Sequence, residues 1–222
     1  MHSFIYFCMM GRSNEYNEIT AKWEHLYGSL GDIEADIWTR LEDAAGSARN
    51  DFHLPVVASV SGDMPSLRTV VLRRASATEK KLRFHTDIRS PKVSELLANP
   101  SIALLFYHKE HRLQLRVQGR ATVDHTSDTV SMAWDATPAS SRRCYLSTAA
   151  PSSVSDSPSV GFPDEFRHRF PSNKETLPGR EHFAVVIVQV QSIDWLWLNH
   201  AGHRRAKFIY HEGGFDAQWL VP

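Results

Sequence analysis

The sequence predicts a mainly β protein: an antiparallel barrel with a few short peripheral helices. Three observations carry this. From Leu54 onward, "LPVVASV", "SLRTVVLRR", "KLRFHTD", "SIALLFYHK" and "RLQLRVQGRATVD" are strand-like and separated by turn residues, and strand signals return in "HFAVVIVQVQSIDWLWLN", "RRAKFIYHE" and "FDAQWLVP". About seven or eight strands with only short helices suit one closed or nearly closed antiparallel barrel. The last strand reaches Pro222, which predicts a paired end.

The elements follow in chain order. Residues 1–16 read as a disordered tail or extra sequence ahead of a single domain, 17–222. The apolar run Phe4 to Met10 has no basic residue before it and is too short to span a bilayer. Residues 17–50 supply N-terminal helices. Ile33, Ile37, Leu41 and Ala45 form one apolar stripe, and Gly31 is expected to break the segment in two. "SGDMP" and "SATEK" suit hairpin loops. In "SPKVSELLANP", Ser90 is a good N-cap and Pro91 a good first helical residue, while Asn99-Pro100 ends the helix. A second short helix is predicted from Ser127 to Ala136, with Val130 and Trp134 on one face. Residues 147–180, rich in Ser and Pro, read as a long loop with one helical turn at "DEFRHRF". "EGG" joins the last two strands as a hairpin turn.

Composition excludes several function classes. Formal net charge is zero, which predicts no general attraction to nucleic acid or an anionic membrane. "VVIVQV", broken by polar residues on both sides, is no membrane span. The two cysteines, Cys8 and Cys144, suggest neither a disulfide framework nor a zinc site, and a reducing cytoplasm is the simplest compartment. Dinucleotide, Walker, zincin and nucleophile-elbow motifs are missing. The pair His108 and His111 in "HKEH" fits a solvated turn, so no metal is expected.

The basic residues carry more chemistry. "PSLRTVVLRR" places Arg68 and Arg73 near the two ends of one strand but on opposite faces, because side chains alternate. One ligand meets both only if the strand bends or bulges. Thr86 ends the next strand, and Arg89, Ser90 and Lys92 sit at the start of a helix, where free N–H groups and the positive dipole end suit a phosphate. An exposed basic surface beside an ordinary capped helix explains these residues as well. Trp195 and Trp197 before "NHAGHRRAKF" suit either an aromatic and cationic wall or core packing. Gln114 shares a polar face with Arg112, Arg116 and Gln118.

The ordered set "PSLRTVVLRR", "FHTDIRSPKVSELLANPSIALLF", "LQLRVQGRA", a tryptophan-bearing strand, "HRRAKF" and a terminal "WLVP" resembles the pyridoxamine phosphate oxidase family, from about Leu54 to Pro222. The ending is more similar to the broader oxidase-related group than to the vitamer oxidase. The resemblance implies an antiparallel FMN-binding split β-barrel, with the flavin at a homodimer interface. By position, Arg68, Thr69, Val70, Val71 and Leu72 would line the flavin, with Arg68 near its phosphate. His85 and Thr86 match a flavin-contacting pair, and Lys92 matches a phosphate-contacting lysine. Its arginine neighbour is Pro91 here, with Arg89 as a possible substitute and Ser90 beside it. Gln114 and Trp197 match flavin contacts, and Lys207 replaces an arginine.

On the substrate side the resemblance places Arg73 at a lysine position, Trp134 near a tyrosine and Ser141 near a serine. A clamp arginine has no match, with Thr137 or Pro138 close to its place. The terminal Arg-x-His pair is exchanged, as His203 and Arg205. The implied function is an FMN oxidoreductase acting on a small molecule, with no general base identified. Alternatives are pyridoxamine phosphate oxidase itself, a non-enzymatic flavin or haem binder, and a nucleic-acid-binding barrel.

Overall fold

The computed structural model describes residues 27–222. The expected tail and the start of the N-terminal helical segment lie outside the described residues. Helix α1, Leu30–Gly46, follows the capping residue Ser29, whose hydroxyl accepts the Asp32 N–H. Its buried stripe is Ile33, Ile37, Leu41 and Ala44. Gly31 lies in the first turn of α1, and the residues on which an earlier helix would fall lie outside the described residues. Ala44 is fully buried and Ala45 half-buried against the same core, because a 3.6-residue period drifts from a strict spacing of four.

The strands are β1 (Val56–Ser61), β2 (Met64–Thr69), β3 (Leu72–Ser76), β4 (Lys81–Asp87), β5 (Ser101–His108), β6 (Leu113–Asp124), β7 (Phe183–Trp197), β8 (Arg204–His211) and β9 (Gly214–Leu220). Every pairing is antiparallel. The spatial order is β2-β1-β5-β6-β7-β4-β3, with β8 on β7 and β9 on β8. The sheet does not close, since β2 and β3 end the path.

That opening corrects the reading of "PSLRTVVLRR" as one strand. The chain leaves the ladder at Val70-Val71, and β2 and β3 lie at opposite ends of the sheet path. Val70 N–H bonds the Pro55 carbonyl at 3.1 Å, so the break is held rather than loose.

The central strand β7 reaches across the molecule. Its first half pairs with β4 and its second with β8, while β6 flanks both. The register shift at Gln118/Gly119 accommodates the change of partner. A Cβ on Gly119 would lie 2.3 Å from the Gln189 carbonyl oxygen, so only glycine fits there.

The main core gathers Trp38, Phe52, Leu72, Phe84, Phe106, Leu115, Trp195 and Phe208. A second cluster forms where α3 (Asp128–Ala136) covers the opposite face of β7: Val130, Trp134, Tyr145, Phe183 and Val185. Ala184 to Val188 is apolar throughout because helix and barrel cover its two faces, and the exposed Gln189 ends the run. Helix α2, Pro91–Ala98, packs on β1 and β6. The short α4, Ala139–Arg142, leads into the long segment, where the expected helical turn appears at Asp164–Phe166.

Candidate functional site

The inward alternation of β1 and β2 places Ser59 opposite Ser66, and Val57 opposite Arg68. Arg68 thus projects at the edge of the inner face, toward α2. Its guanidinium meets Glu95 Oε2 at 2.8 Å and donates to the Ser66 and Ser59 hydroxyls and to the Ser66 carbonyl at 2.9 Å. Lys92, one turn before Glu95, donates to Thr86 Oγ1 at 2.9 Å and to Ser90 Oγ at 2.6 Å. Ser90 therefore precedes the helix as predicted but makes no side-chain cap. Its hydroxyl serves Lys92 instead.

The electrostatics of this cluster are unbalanced. Burial first, and then the positive charge of Arg68, push the Lys92 ammonium below its usual pKa. Burial acts to raise the Glu95 carboxyl, but hydrogen bonds from Ser59 and Arg68 hold it below the ordinary range. Two cations and four hydroxyls converge around one bonded carboxylate, Glu95, while Asp87, which also acts on Lys92, is bonded to Arg89. A phosphate monoester supplies the missing charge and acceptor oxygens, and charge-assisted bonds of this kind are the strong ones. The donor set at the open edge of the barrel therefore fits the phosphate of FMN. Ser59, Ser66 and Glu95 were not picked out from sequence. Ser59 is the polar residue at a buried position of "VVASVS", and Glu95 lies three residues after Lys92 on one helix face, so both signals were present.

The remaining predicted residues divide among other surfaces. Arg89 turns away from the cluster. It grips Asp87 through both carboxylate oxygens, at 3.0 and 2.7 Å, and donates to the Ser147 and Thr148 carbonyls. Gln114 lies on the outer face of the sheet, opposite Tyr107 and Leu196. Lys207 lies on that face across from Asp194. Arg205 also reaches it and shares Asp194 with Arg116, binding the two oxygens at 3.0 and 2.8 Å. Against burial, these two arginines hold Asp194 below its ordinary pKa. Beside them lies a groove of about 380 Å³ lined by Val56, Leu67, Leu105, Gln118 and Lys207.

Trp197 is packed into the core, edge-on to Tyr27 at 5.3 Å, and is 5% exposed. Trp195 is fully buried, so core packing accounts for both tryptophans in the chain. His203 Nδ1 accepts the Asn199 N–H at 3.1 Å.

Arg73 and His85 occupy the face of β3 and β4 opposite the Arg68 cluster. A bulge between Leu72 and Arg74 leaves Arg73 and Arg74 both exposed while Leu72 stays buried. His85 lies edge-on to Phe183 at 4.8 Å. Trp134 belongs to the same second cluster, under the Arg142 guanidinium at 4.8 Å. Ser141 is half-buried on the adjoining α4. Arg142 does not stand in for the missing clamp arginine: it caps α3 by donating to the Thr137 and Asp135 carbonyls at 2.7 and 2.9 Å.

Among the described residues, no group of three or more His, Cys, Asp or Glu side chains is placed to hold a metal ion. No helix there is long and apolar enough to cross a membrane.

Part of the chain is similar to known proteins. Residues 35–125 match the model of the pyridoxamine 5′-phosphate oxidase FMN-binding domain. A pyridoxine/pyridoxamine 5′-phosphate oxidase of Granulibacter bethesdensis is 40% identical over 85 residues, 36% of this chain and 40% of that protein. One of Xylella fastidiosa is 34% identical over 134 residues, 59% of this chain and 60% of that protein. The chain thus spans less than two thirds of either relative. A solved pyridoxamine 5′-phosphate oxidase-related, FMN-binding protein of Nostoc punctiforme superposes with a TM-score of 0.66 at 20% identity, over 85% of this chain and 96% of that one. PhzG of Burkholderia lata, solved with tetrahydrophenazine-1-carboxylic acid, gives 0.59 at 14%, over 96% and 98%. The split-barrel fold is common to these structures and this chain.

Proposed function

We propose, from the premise that residues 35–125 form an FMN-binding domain of the pyridoxamine 5′-phosphate oxidase type, that this protein is an FMN-dependent oxidoreductase acting on a small molecule as a homodimer. The observation that carries it is the Arg68, Thr86, Ser90 and Lys92 cluster, two cations and two hydroxyls at the open edge of the barrel. Bound FMN supplies hydride chemistry at its ring. Arg68 and Lys92 hold its phosphate. The backbone from Thr69 to Leu72, outside the ladder at Val70-Val71, runs along the flavin.

The division of the remaining residues supports homodimerisation. Gln114 and Lys207 lie on the outer sheet face, away from the phosphate cluster. They reach a flavin as residues contributed by a second copy, whereas Trp197 stays in the core of its own chain. That outer face also exposes Leu67, Leu105 and Tyr107, an apolar patch of the kind that marks an interaction surface. Arg73, Trp134, Ser141, His203 and Arg205 form the substrate side. The cytoplasm suits a chain with two cysteines.

The visible spectrum tests this reading. Purified protein should absorb near ~450 nm, release FMN on denaturation, and run as a dimer. A colourless protein that refuses added FMN overturns it. The names of the relatives favour one narrower reading, pyridoxamine phosphate oxidase itself. Against it, Trp134 has no phenolic hydroxyl and Arg142 is committed to backbone carbonyls. Failure to form pyridoxal phosphate and hydrogen peroxide with FMN bound removes that reading and leaves the broader one.

A further inference from the structure

The long Ser- and Pro-rich segment after α4 is held at both ends by one turn. At its start, the Arg89 guanidinium donates to the Ser147 and Thr148 carbonyls, at 2.9 and 3.2 Å. At its end, the Ile88 N–H bonds the His182 carbonyl at 2.8 Å. The two ends are also tied to each other. His182 Nδ1 donates to the Tyr145 carbonyl at 2.8 Å, and a Cβ on Gly179 would lie 3.1 Å from the same carbonyl group. Segment 147–182 is thus a large loop with adjacent ends, moored on residues 88 and 89.

Away from those ends the loop is lightly held. Its buried aromatic side chain is Phe166, whose carbonyl accepts from Arg143 at 2.8 Å. Residues 151–160 are all exposed. Such a segment opens locally at low cost, and its moorings set how often. It begins beside Tyr145, which packs edge-on against Trp134 and Phe183 at 6.1 and 5.0 Å, and so borders the residues assigned to the substrate.

The mooring turn is continuous with the phosphate cluster. Thr86, Ser90 and Lys92 bond one another, while Ile88 and Arg89, between them in the chain, hold the loop. Asp87 joins the two groups. It grips Arg89 through both oxygens, is 8% exposed, and its charge also acts on Lys92. One carboxylate therefore divides its attraction between a cluster cation and the mooring arginine. A bound phosphate answers Lys92 with its own charge and leaves Asp87 to Arg89. The loaded and empty proteins then differ in how firmly the loop is moored, and such a difference is what coupling requires.

We propose that the turn 87–90 couples the cofactor cluster to the loop: a phosphate held by Thr86, Ser90 and Lys92 tightens the Asp87–Arg89 grip and orders segment 147–182 as a strap beside the substrate. The identity of the phosphate compound as FMN rests on the flavin oxidoreductase reading; the coupling itself does not.

The test is limited trypsin digestion of the full chain, with cuts after Arg167, Arg169 and Lys174 counted by mass spectrometry. It is run without ligand, with FMN and with inorganic phosphate, the binding of each being read separately by calorimetry. Bound ligand should slow these cuts about tenfold in the parent, within the usual range for coupled sites. Arg89→Met should be cut faster than the parent without ligand, and ligand should slow its cutting by no more than about twofold. Asp87→Asn keeps an acceptor for Arg89 but removes the shared charge, and should lose the protection as well. Arg143→Met removes a prop inside the loop. It should also be cut faster, yet keep the parent's protection, which separates coupling from simple loosening. Bound ligand without slowing in the parent, or parent-like protection in Arg89→Met or Asp87→Asn, overturns the coupling and leaves the flavin reading. Protection by bound phosphate in a chain that refuses FMN keeps the coupling and removes the flavin reading. A chain that binds neither ligand loses both.

Discussion

Arg68 on β2 and Glu95 on α2 are joined by a charge-assisted hydrogen bond of 2.8 Å, so the arginine assigned to a phosphate is held by a carboxylate. A dianion arriving there is repelled by the group that positions its own clamp. Glu95→Gln keeps an acceptor for Arg68 and removes the repulsion. FMN should bind this variant several-fold more tightly, as a fluorescence-quenching titration would read. Glu95→Ala, which leaves Arg68 unpositioned, should not share the gain. Weaker binding in Glu95→Gln would mean that the carboxylate charge itself is needed.

Removing the clamp cations should have the opposite effect. Arg68→Ala and Lys92→Ala should each cost FMN roughly 1.5–3 kcal/mol of binding, the range for hydrogen bonds to charged groups. Lys92 interacts with Arg68, so the double substitution should not be additive. Unchanged affinity in both single variants would place the phosphate elsewhere.

His85 should impose a pH dependence on stability. Its pKa falls from an ordinary 6.5 to about 3 in the folded chain, by burial and then by Arg73 and Arg83. Below the ordinary value the unfolded chain takes up a proton that the folded chain refuses. Stability is therefore lost as pH falls from 6.5 toward 3, by at most about 1.4 kcal/mol per pH unit. Glu95 and Asp194, held low, lose their contributions only beneath the ordinary carboxylate range. Denaturant melts of His85→Phe against the parent should show a flatter slope in the upper part of that window. Identical slopes would contradict the buried, unpartnered imidazole.

Gly119 tests the close approach of β6 and β7. A Cβ there would sit 2.3 Å from the Gln189 carbonyl oxygen, a backbone atom with little room to move. Gly119→Ala should destabilise the fold by roughly 1–3 kcal/mol, the range for overpacking. A denaturation midpoint equal to the parent's would show that the strands can part.

The outer sheet face gives a test of assembly. Leu105 is 39% exposed and lies across from Val56 and Arg116. Leu105→Glu leaves the barrel core untouched. Sedimentation should find a monomer, and FMN retention should fall with it. A folded dimer that keeps its flavin would move the interface to another face.

Much of the fold was legible because its signals are local. The period of "KLRFHTD" marked β4 from Lys81 to Asp87, and Ser90-Pro91 marked the start of α2. Thr86, Ser90 and Lys92 were legible as a group because six residues and one turn separate them. The break at Val70-Val71 was not. Thr69, Val70, Val71 and Leu72 all have strand propensity, and only the placement of β2 and β3 at opposite ends of the sheet parts them. Asp87 as the partner of Arg89, and Asp194 as the partner of Arg116 and Arg205, were equally out of reach, since nothing in a sequence says which acid a given arginine will find.

The sequence by itself determined the strand-dominated class, the turns, the two short helices and the existence of a basic, hydroxyl-rich cluster around Lys92, because hydrophobic period and capping chemistry act over a few residues. Only the tertiary structure decided which arginine serves which surface. Arg68 faces inward to Glu95, Arg89 is locked to Asp87, and a bulge exposes Arg73 on the opposite face, which also carries the half-buried His85. Those outcomes depend on strand register, on one bulge and on which acids lie across the ladder. Such contacts join residues far apart in the chain, and a local pattern carries no record of them.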